Sequence, residues 1–223
     1  MGTLSNVNIR REESISPCTK LALDAFPEAT SSQTGVSVKY IPTPDKKWFV
    51  FRASYGREDK AADFIVADGS YAYVAKRTVD KLVNGKRKRM LVNLLPNLLF
   101  AYTTEDKANE YIKFTPELSF LTFYYNHFIT KDDHTNPPLV IPNGEMENFI
   151  RATKSQNEHI MYVDPKQCHF KGGEIVKVTD GLFKGVIGKV ARVSGQQRVV
   201  LSLSKIGLIS TAYIPTAFIE KLR

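Results

Sequence analysis

Apolar and polar positions along the 223-residue chain change period several times, and each change marks a predicted element. The run KWFVFRA at Lys47–Ala53 is aromatic and β-rich and predicts a half-buried strand. After the Tyr55-Gly56 break comes REDKAADFIVADG. There Ala61, Phe64 and Ile65 recur at helical spacing, acidic residues crowd the first turns, and Gly69 suits the C-terminal cap. YAYVA and RTVDKLV predict short strands, and Asn84-Gly85 in NGKRKR is a hairpin turn signal. MLVNL and LLFAYTT predict strands on either side of Pro96-Asn97. Thr103 or Thr104 can cap a short helix through Ile112, with Glu105 and Asp106 near its N-terminus. LSFLTFYYNHF predicts a strand or hairpin and TKDDHTNPP a polar loop. A helix restarts at Pro142-Asn143, with Asn143 as its cap and Met146, Phe149 and Ile150 on one face. This order of elements predicts an α+β sandwich over residues 46–154.

The flanks differ. Residues 1–45 are rich in Ser, Thr and Pro and predict a disordered tail, since such composition rarely buries enough surface to offset ordering entropy. A docking peptide around Leu21, Leu23 and Phe26 is the alternative. Residues 155–169, with mixed polarity and a central proline, predict a linker. Over residues 170–223, five short β runs separated by turns predict a small β-barrel, with Val199, Leu201 and Leu203 alternating on one face.

Composition narrows the function. With 43% hydrophobic and 24% charged residues, the chain can build a real core and is neither wholly disordered nor collagen-like. No run approaches the roughly 20 apolar residues that span a bilayer, and MGTLSNVNIRREESISP has no apolar signal core. A soluble, cytoplasmic protein with no membrane partner is the expectation. Cys18 and Cys168 form no C-x-x-C pair, so both are expected reduced. Net charge is +8 and the pI is near 9.4, which suits a polyanionic partner. A soluble basic protein without a nucleic-acid role remains open on charge alone. Residues 171–223 hold nine basic and three acidic side chains, which concentrates the excess there.

Enzyme chemistry finds little support. His127, Asp132, Asp133 and His134 form the one His/Asp cluster, without the helical His pair of a zincin. A polar loop is the simpler reading, and a metal-dependent nuclease there the remote one. His159 and His169 have no cysteine at ligand spacing, and no Walker, G-x-G-x-x-G or G-x-S-x-G motif occurs. No enzyme activity, metal or cofactor is expected.

The most specific segment is FKGGEIVKVTDGLFKGVIGKV, Phe170 to Val190. Asp180-Gly181 makes a tight turn, Phe183 follows at the loop tip, and Gly185 and Gly188 let the next strand bend and approach closely. The pattern G-E-x-V-x-V-x-D-G-x-F-x-G-x-x-G-x-V resembles the KOW motif of the NusG/Spt5 family, with Leu182 where bacterial members usually have Pro. KKWFVFRASYGREDKAADFI resembles the opening strand and helix of the NusG N-terminal domain. NGKRKR with MLVNLLPNLLFAY resembles its basic loop and F-P-G-Y strand, and LVIPNGEMENFIRAT its last helix. The F-P-G-Y position reads Leu95-Pro96-Asn97-Leu98. That departure and the unusual start are similar to specialised paralogues, above all the UpxY capsular-polysaccharide antiterminators of Bacteroides-like bacteria, and more distantly to RfaH.

The resemblance implies an N-terminal NusG sandwich followed by an SH3-like KOW barrel, acting as a non-enzymatic elongation or antitermination factor for a long surface-polysaccharide operon. It implies docking on the clamp of the largest RNA polymerase subunit through Trp48, Arg52, Leu95, Pro96, Leu98 and Phe100. It implies contact with upstream or non-template DNA, or nascent RNA, through Tyr55, Arg57, Lys86, Arg87, Lys88 and Arg89. In the KOW unit it implies a partner face at Asp180, Gly181, Phe183, Gly185, Gly188 and Ile206, which in the general factor meets Rho or a ribosomal protein. Two other readings stand beside it: a general NusG-type factor coupling polymerase to Rho or the ribosome, and a KOW-type RNA-binding protein of the translation apparatus.

Overall fold

The computed structural model describes residues 26–130, 132 and 134–222, the side chains of 171–173 excepted. Cys18, Leu21, Leu23 and Asp133 therefore lie outside the described residues.

The first elements of the described residues form a small hairpin, β1 (Ala29–Thr30) paired with β2 (Ser37–Val38). The expected disorder through residue 45 is thereby corrected over Phe26–Tyr40. The Phe26 ring stacks on Tyr40 at 3.9 Å, and Tyr40 stacks on Trp48 at 5.5 Å. Tyr71 Oη donates to Pro27 O at 2.6 Å. Aromatic burial of this kind offsets the ordering entropy that the polar composition alone does not.

The first unit is built on β3 (Lys47–Ala53), which follows that hairpin. A helix α1 (Glu58–Ala67), β4 (Tyr71–Tyr73), and a two-stranded ribbon of β5 (Lys76–Val83) and β6 (Lys86–Asn93) come next. After them stand β7 (Leu98–Thr103), α2 (Glu105–Lys113), β8 (Leu121–Phe123), β9 (Val140–Ile141) and α3 (Asn143–Thr153). The sheet order is β4-β7-β3-β8, with β9 also pairing β3, all antiparallel. Both faces of β3 are covered. Phe49 and Phe51 pack with Ala61, Ile65 and Tyr111 of the first two helices, and Trp48 and Val50 pack with Met146, Phe149 and Ile150 of α3. Thr104 caps α2 by accepting from Lys107 N. At α3 the expectation is corrected: Pro142 holds the cap position and Asn143 is already helical, its side chain making no cap.

The second unit is one six-stranded antiparallel sheet. It contains β10 (Met161–Val163), β11 (His169–Val178), β12 (Ile187–Val193), β13 (Gln196–Leu203), β14 (Gly207–Tyr213) and β15 (Ile219–Lys221), in the order β10-β14-β13-β12-β11-β15. Met161–Val163, expected within a linker, is an edge strand of this sheet because it pairs residues 208–210 of β14. The connector is also tied down by Arg198, whose buried guanidinium donates to His159 O at 2.9 Å and Thr211 O at 3.0 Å. Val199, Leu201 and Leu203 are buried, as their alternation predicts.

The two units touch along α3. Glu145 accepts from Ser204 N at 2.8 Å and from Ser204 Oγ at 2.6 Å. Asn148 exchanges two hydrogen bonds with the backbone of Ile187, and Arg151 Nη1 donates to Gly185 O at 3.2 Å.

Candidate functional site

Three loops of the first unit meet at one end of β3. The Pro96-Asn97 turn enters β7, and Asn97 holds a left-handed φ of 63°. Asn97 N donates to Glu58 Oε1, and Ala53 N donates to Asn97 O at 2.9 Å. Glu58 is 2% exposed and opens α1. Its carboxylate therefore ties the Leu95–Leu98 turn to the start of α1, two residues past the Ser54–Gly56 loop.

That loop presents Tyr55 with a φ of 61° and 90% of its surface exposed. A positive φ on an aromatic residue is sterically unfavourable and persists where the surroundings hold it. Arg57 Nε donates to Ser54 O at 3.1 Å. The Arg57 guanidinium stands 3.9 Å over the Phe120 ring and 5.4 Å from that of Tyr55. Exposed Tyr55 and half-buried Arg57 thus form one cation–aromatic pair, with buried Phe120 beneath the guanidinium.

The residues expected to dock on polymerase divide. Arg52 and Pro96 are exposed and Leu98 is half-buried. Trp48 and Phe100 are 0% exposed and Leu95 is 5% exposed. Direct contact by Trp48, Phe100 or Leu95 is corrected by this burial: Trp48 lies between Tyr40, Tyr71 and Tyr102, and Phe100 packs on Phe149. Their chemistry is that of the core.

Lys86, Arg87, Lys88 and Arg89 are all exposed, on β6 beyond the Asn84-Gly85 turn rather than at its tip. In the second unit Asp180 and Gly181 are exposed at the turn, with Gly181 at a φ of +81°. Phe183 is 5% exposed, which corrects its expected place on the loop tip: it packs in the core with Val178 and Val186. Gly188 serves the close approach expected of it, since a Cβ there would stand 2.5 Å from Val200 O. Gly185 faces Arg151 of the first unit, and Ile206 lines a cleft of about 250 Å³ with Leu94, Leu95, Pro96, Leu98, Tyr124 and Tyr162. The structure thus brings Ile206 and the Leu95–Leu98 turn together.

Several contributors were not singled out in the sequence: Glu58, Phe120 and Arg198. Glu58 carried a signal, an acidic residue at the start of a helix. The others depend on register and tertiary packing. Among the described residues no group of His, Cys, Asp and Glu is arranged to hold a metal, and no helix is long and apolar enough to cross a membrane. Cys168 is free and buried, and burial pushes its thiol pKa up.

Comparison with known proteins adds a family to this geometry. Residues 46–150 match the NusG family, described as "Transcription termination factor nusG". The matched segment runs from the start of β3 through most of α3 and is just under half of the chain. No curated protein matches. Among solved structures, a crystal structure of an MjSpt4:Spt5 complex in conformation B aligns at 17% identity, over 78% of this chain and 96% of that one, with a TM-score of 0.25. Residues 46–150 are therefore similar to the NusG family.

Proposed function

We propose that this chain is a non-enzymatic transcription elongation factor of the specialised, UpxY-like kind. It binds RNA polymerase through its first unit and suppresses pausing or termination, in a long surface-polysaccharide operon. On this reading the second unit is an SH3-like KOW module that offers its exposed turn and the Ile206 edge to a further partner. The factor works without metal or cofactor, in the cytoplasm. Its action is differential binding: by holding the elongating form of polymerase more tightly than the paused form, it shifts that population, and ~1–3 kcal/mol of difference is enough to matter.

The observation that carries the reading is the NusG match over residues 46–150. Within it, Pro96 of the turn that resembles the family's docking strand and Arg52 of the neighbouring β3 are at the surface, and Glu58 ties that turn to the start of α1, next to Tyr55 and Arg57 in the chain. Arg52, Pro96 and Leu98 are the polymerase contacts of this proposal, and the Tyr55–Arg57 pair and the basic ribbon its nucleic-acid contacts.

The test is binding to core RNA polymerase by the wild type and by an Arg52→Ala/Pro96→Ala/Leu98→Ala variant, followed by elongation through a terminator. Truncated contacts of this kind are worth roughly 1 kcal/mol each, so the variant should bind at least about tenfold more weakly. Wild type should raise readthrough. Equal polymerase affinity for both would remove these residues from the interface. No polymerase binding at all, beside tight RNA binding, would favour a KOW-type RNA-binding protein instead.

A further inference from the structure

The run Lys86–Arg89 reads as one basic patch, but pairing divides it. In a strand, residues two apart share a face, and residues directly opposite on a partner strand share it too. The register pairs Lys81 with Lys88, Val83 with Lys86, Asp80 with Arg89, and Leu82 with Arg87. One face of the ribbon therefore gathers Arg77, Lys81, Lys86 and Lys88. The other gathers Lys76, Arg87 and Arg89.

The faces differ in compensation. On the second, Lys76 pairs with Asp59 at 2.8 Å, Arg89 pairs with Glu158 at 3.3 Å, and Asp80 stands directly across from Arg89. Three carboxylates therefore stand beside this face's three cations, one on Lys76 and two at Arg89, while Arg87 lies across from Leu82. On the first face Lys81, Lys86 and Lys88 are exposed, and among the described residues none has an acidic partner. Lys81 also sits directly opposite Lys88, a like-charge pair that disfavours the ribbon until an anion lies over it.

We propose that this lysine face, and not the Lys86–Arg89 run as such, is the nucleic-acid surface of the ribbon, and that it lies along the phosphates of duplex DNA. This rests on the nucleic-acid contact proposed above for the hairpin. Lys86 and Lys88 stand two residues apart on one strand, about 7 Å along it, so they can meet phosphates in sequence along a backbone. Single-stranded nucleic acid is held by aromatic platforms. The apolar members of this face are Val79, Val83, Met90 and Val92, with no ring to stack on a base. A two-stranded ribbon is also of a size that the major groove admits. Phosphate contacts position a protein without reading sequence, so affinity here is salt-dependent and nearly sequence-blind.

The experiment uses the full chain and fluorescence anisotropy with labelled 25-base-pair DNA, the matching RNA duplex and a single strand, across 50–200 mM salt. Each neutralised phosphate contributes about 0.9 to the slope of log affinity against log salt on B-form DNA. Lys81→Gln/Lys86→Gln/Lys88→Gln should flatten that slope by about 2.7, and Arg87→Gln/Arg89→Gln by less than about 1. Lys81→Gln alone should act like Lys88→Gln, although seven residues separate them, and should raise the thermal midpoint slightly. Core polymerase binding without DNA is measured on the same variants. If polymerase binds and the two multiple variants lose equal slope, the face assignment is wrong while the elongation-factor reading stands. A stronger grip on the single strand or the RNA duplex than on DNA would overturn the duplex-DNA assignment. A chain that binds DNA as described but no polymerase would leave the face in place and remove the proposed function.

Discussion

β3 and the β5–β6 ribbon are both antiparallel pairings of seven or eight residues, but they meet opposite surroundings. β3 has strands on both edges and covered faces on both sides, so Trp48, Phe49, Val50 and Phe51 are all 2% exposed or less. The ribbon pairs only with itself, and every residue from Asp80 to Leu91 is exposed. A doubly covered strand reads as a continuous apolar run, whereas an isolated ribbon keeps charge on both faces. The lesson concerns where binding chemistry can reside. Aromatic residues of β3 hold the platform, and the exposed surface beside it carries the contacts proposed above.

The largest expected effect breaks this contrast from the buried side. Trp48→Ala removes a ring packed on Tyr40, Tyr71 and Tyr102, and should cost about 3–5 kcal/mol of stability. Urea unfolding followed by circular dichroism measures it. A cost near zero would mean that Trp48 is a surface residue after all. Any lost polymerase binding in this variant would then report unfolding rather than a missing contact, which is why the binding test uses Arg52, Pro96 and Leu98.

Gly188→Ala probes the second unit in the same way. Its new Cβ would stand 2.5 Å from Val200 O and 2.8 Å from Val199 Cγ1, so β12 and β13 must part. Overpacking of this kind costs about 1–3 kcal/mol. A thermal midpoint that falls for this variant, but not for Gly144→Ala, where the backbone is not left-handed and a Cβ meets open space, would confirm that close approach is the reason for glycine here.

Much of this was legible in the sequence, for physical reasons. Periodicity is local, so β3, α1, the Asn84-Gly85 turn, β7 and the Thr104 cap follow from a few neighbouring residues. What was not legible depends on partners far away in the chain. Phe26 and Tyr40 order the start of the described chain only because Trp48 and Tyr71 lie beneath them. Met161–Val163 becomes a strand only because β14 has a free edge. For the proposed site, residue types pointed to particular loops, and exposure separates their surface members from their core members. Phe183 and Phe100 look like contact residues by type and spacing, and packing places both in the core. The basic run was plain, and its division into two faces needed the register.

The smallest expected effect sharpens the contrast by pH. Burial raises the phenol pKa of Tyr40 and of Tyr73 from the usual 10.0 to about 12, and raises those of Tyr71 and Tyr111 as well. Below pH 10 these groups are protonated in both folded and unfolded chains, so their contribution is fully present. Between about pH 10 and 12 the unfolded chain releases protons that the folded chain retains. It then binds fewer protons, and stability falls as pH rises. These groups therefore predict a thermal midpoint that is flat up to about pH 10 and falls above it. Tyr40→Phe keeps the ring stacked between Phe26 and Trp48 but removes one such proton, so its midpoint should fall less steeply over the same window. Identical slopes for wild type and Tyr40→Phe would place the Tyr40 hydroxyl in water and detach the N-terminal hairpin from the core that it covers.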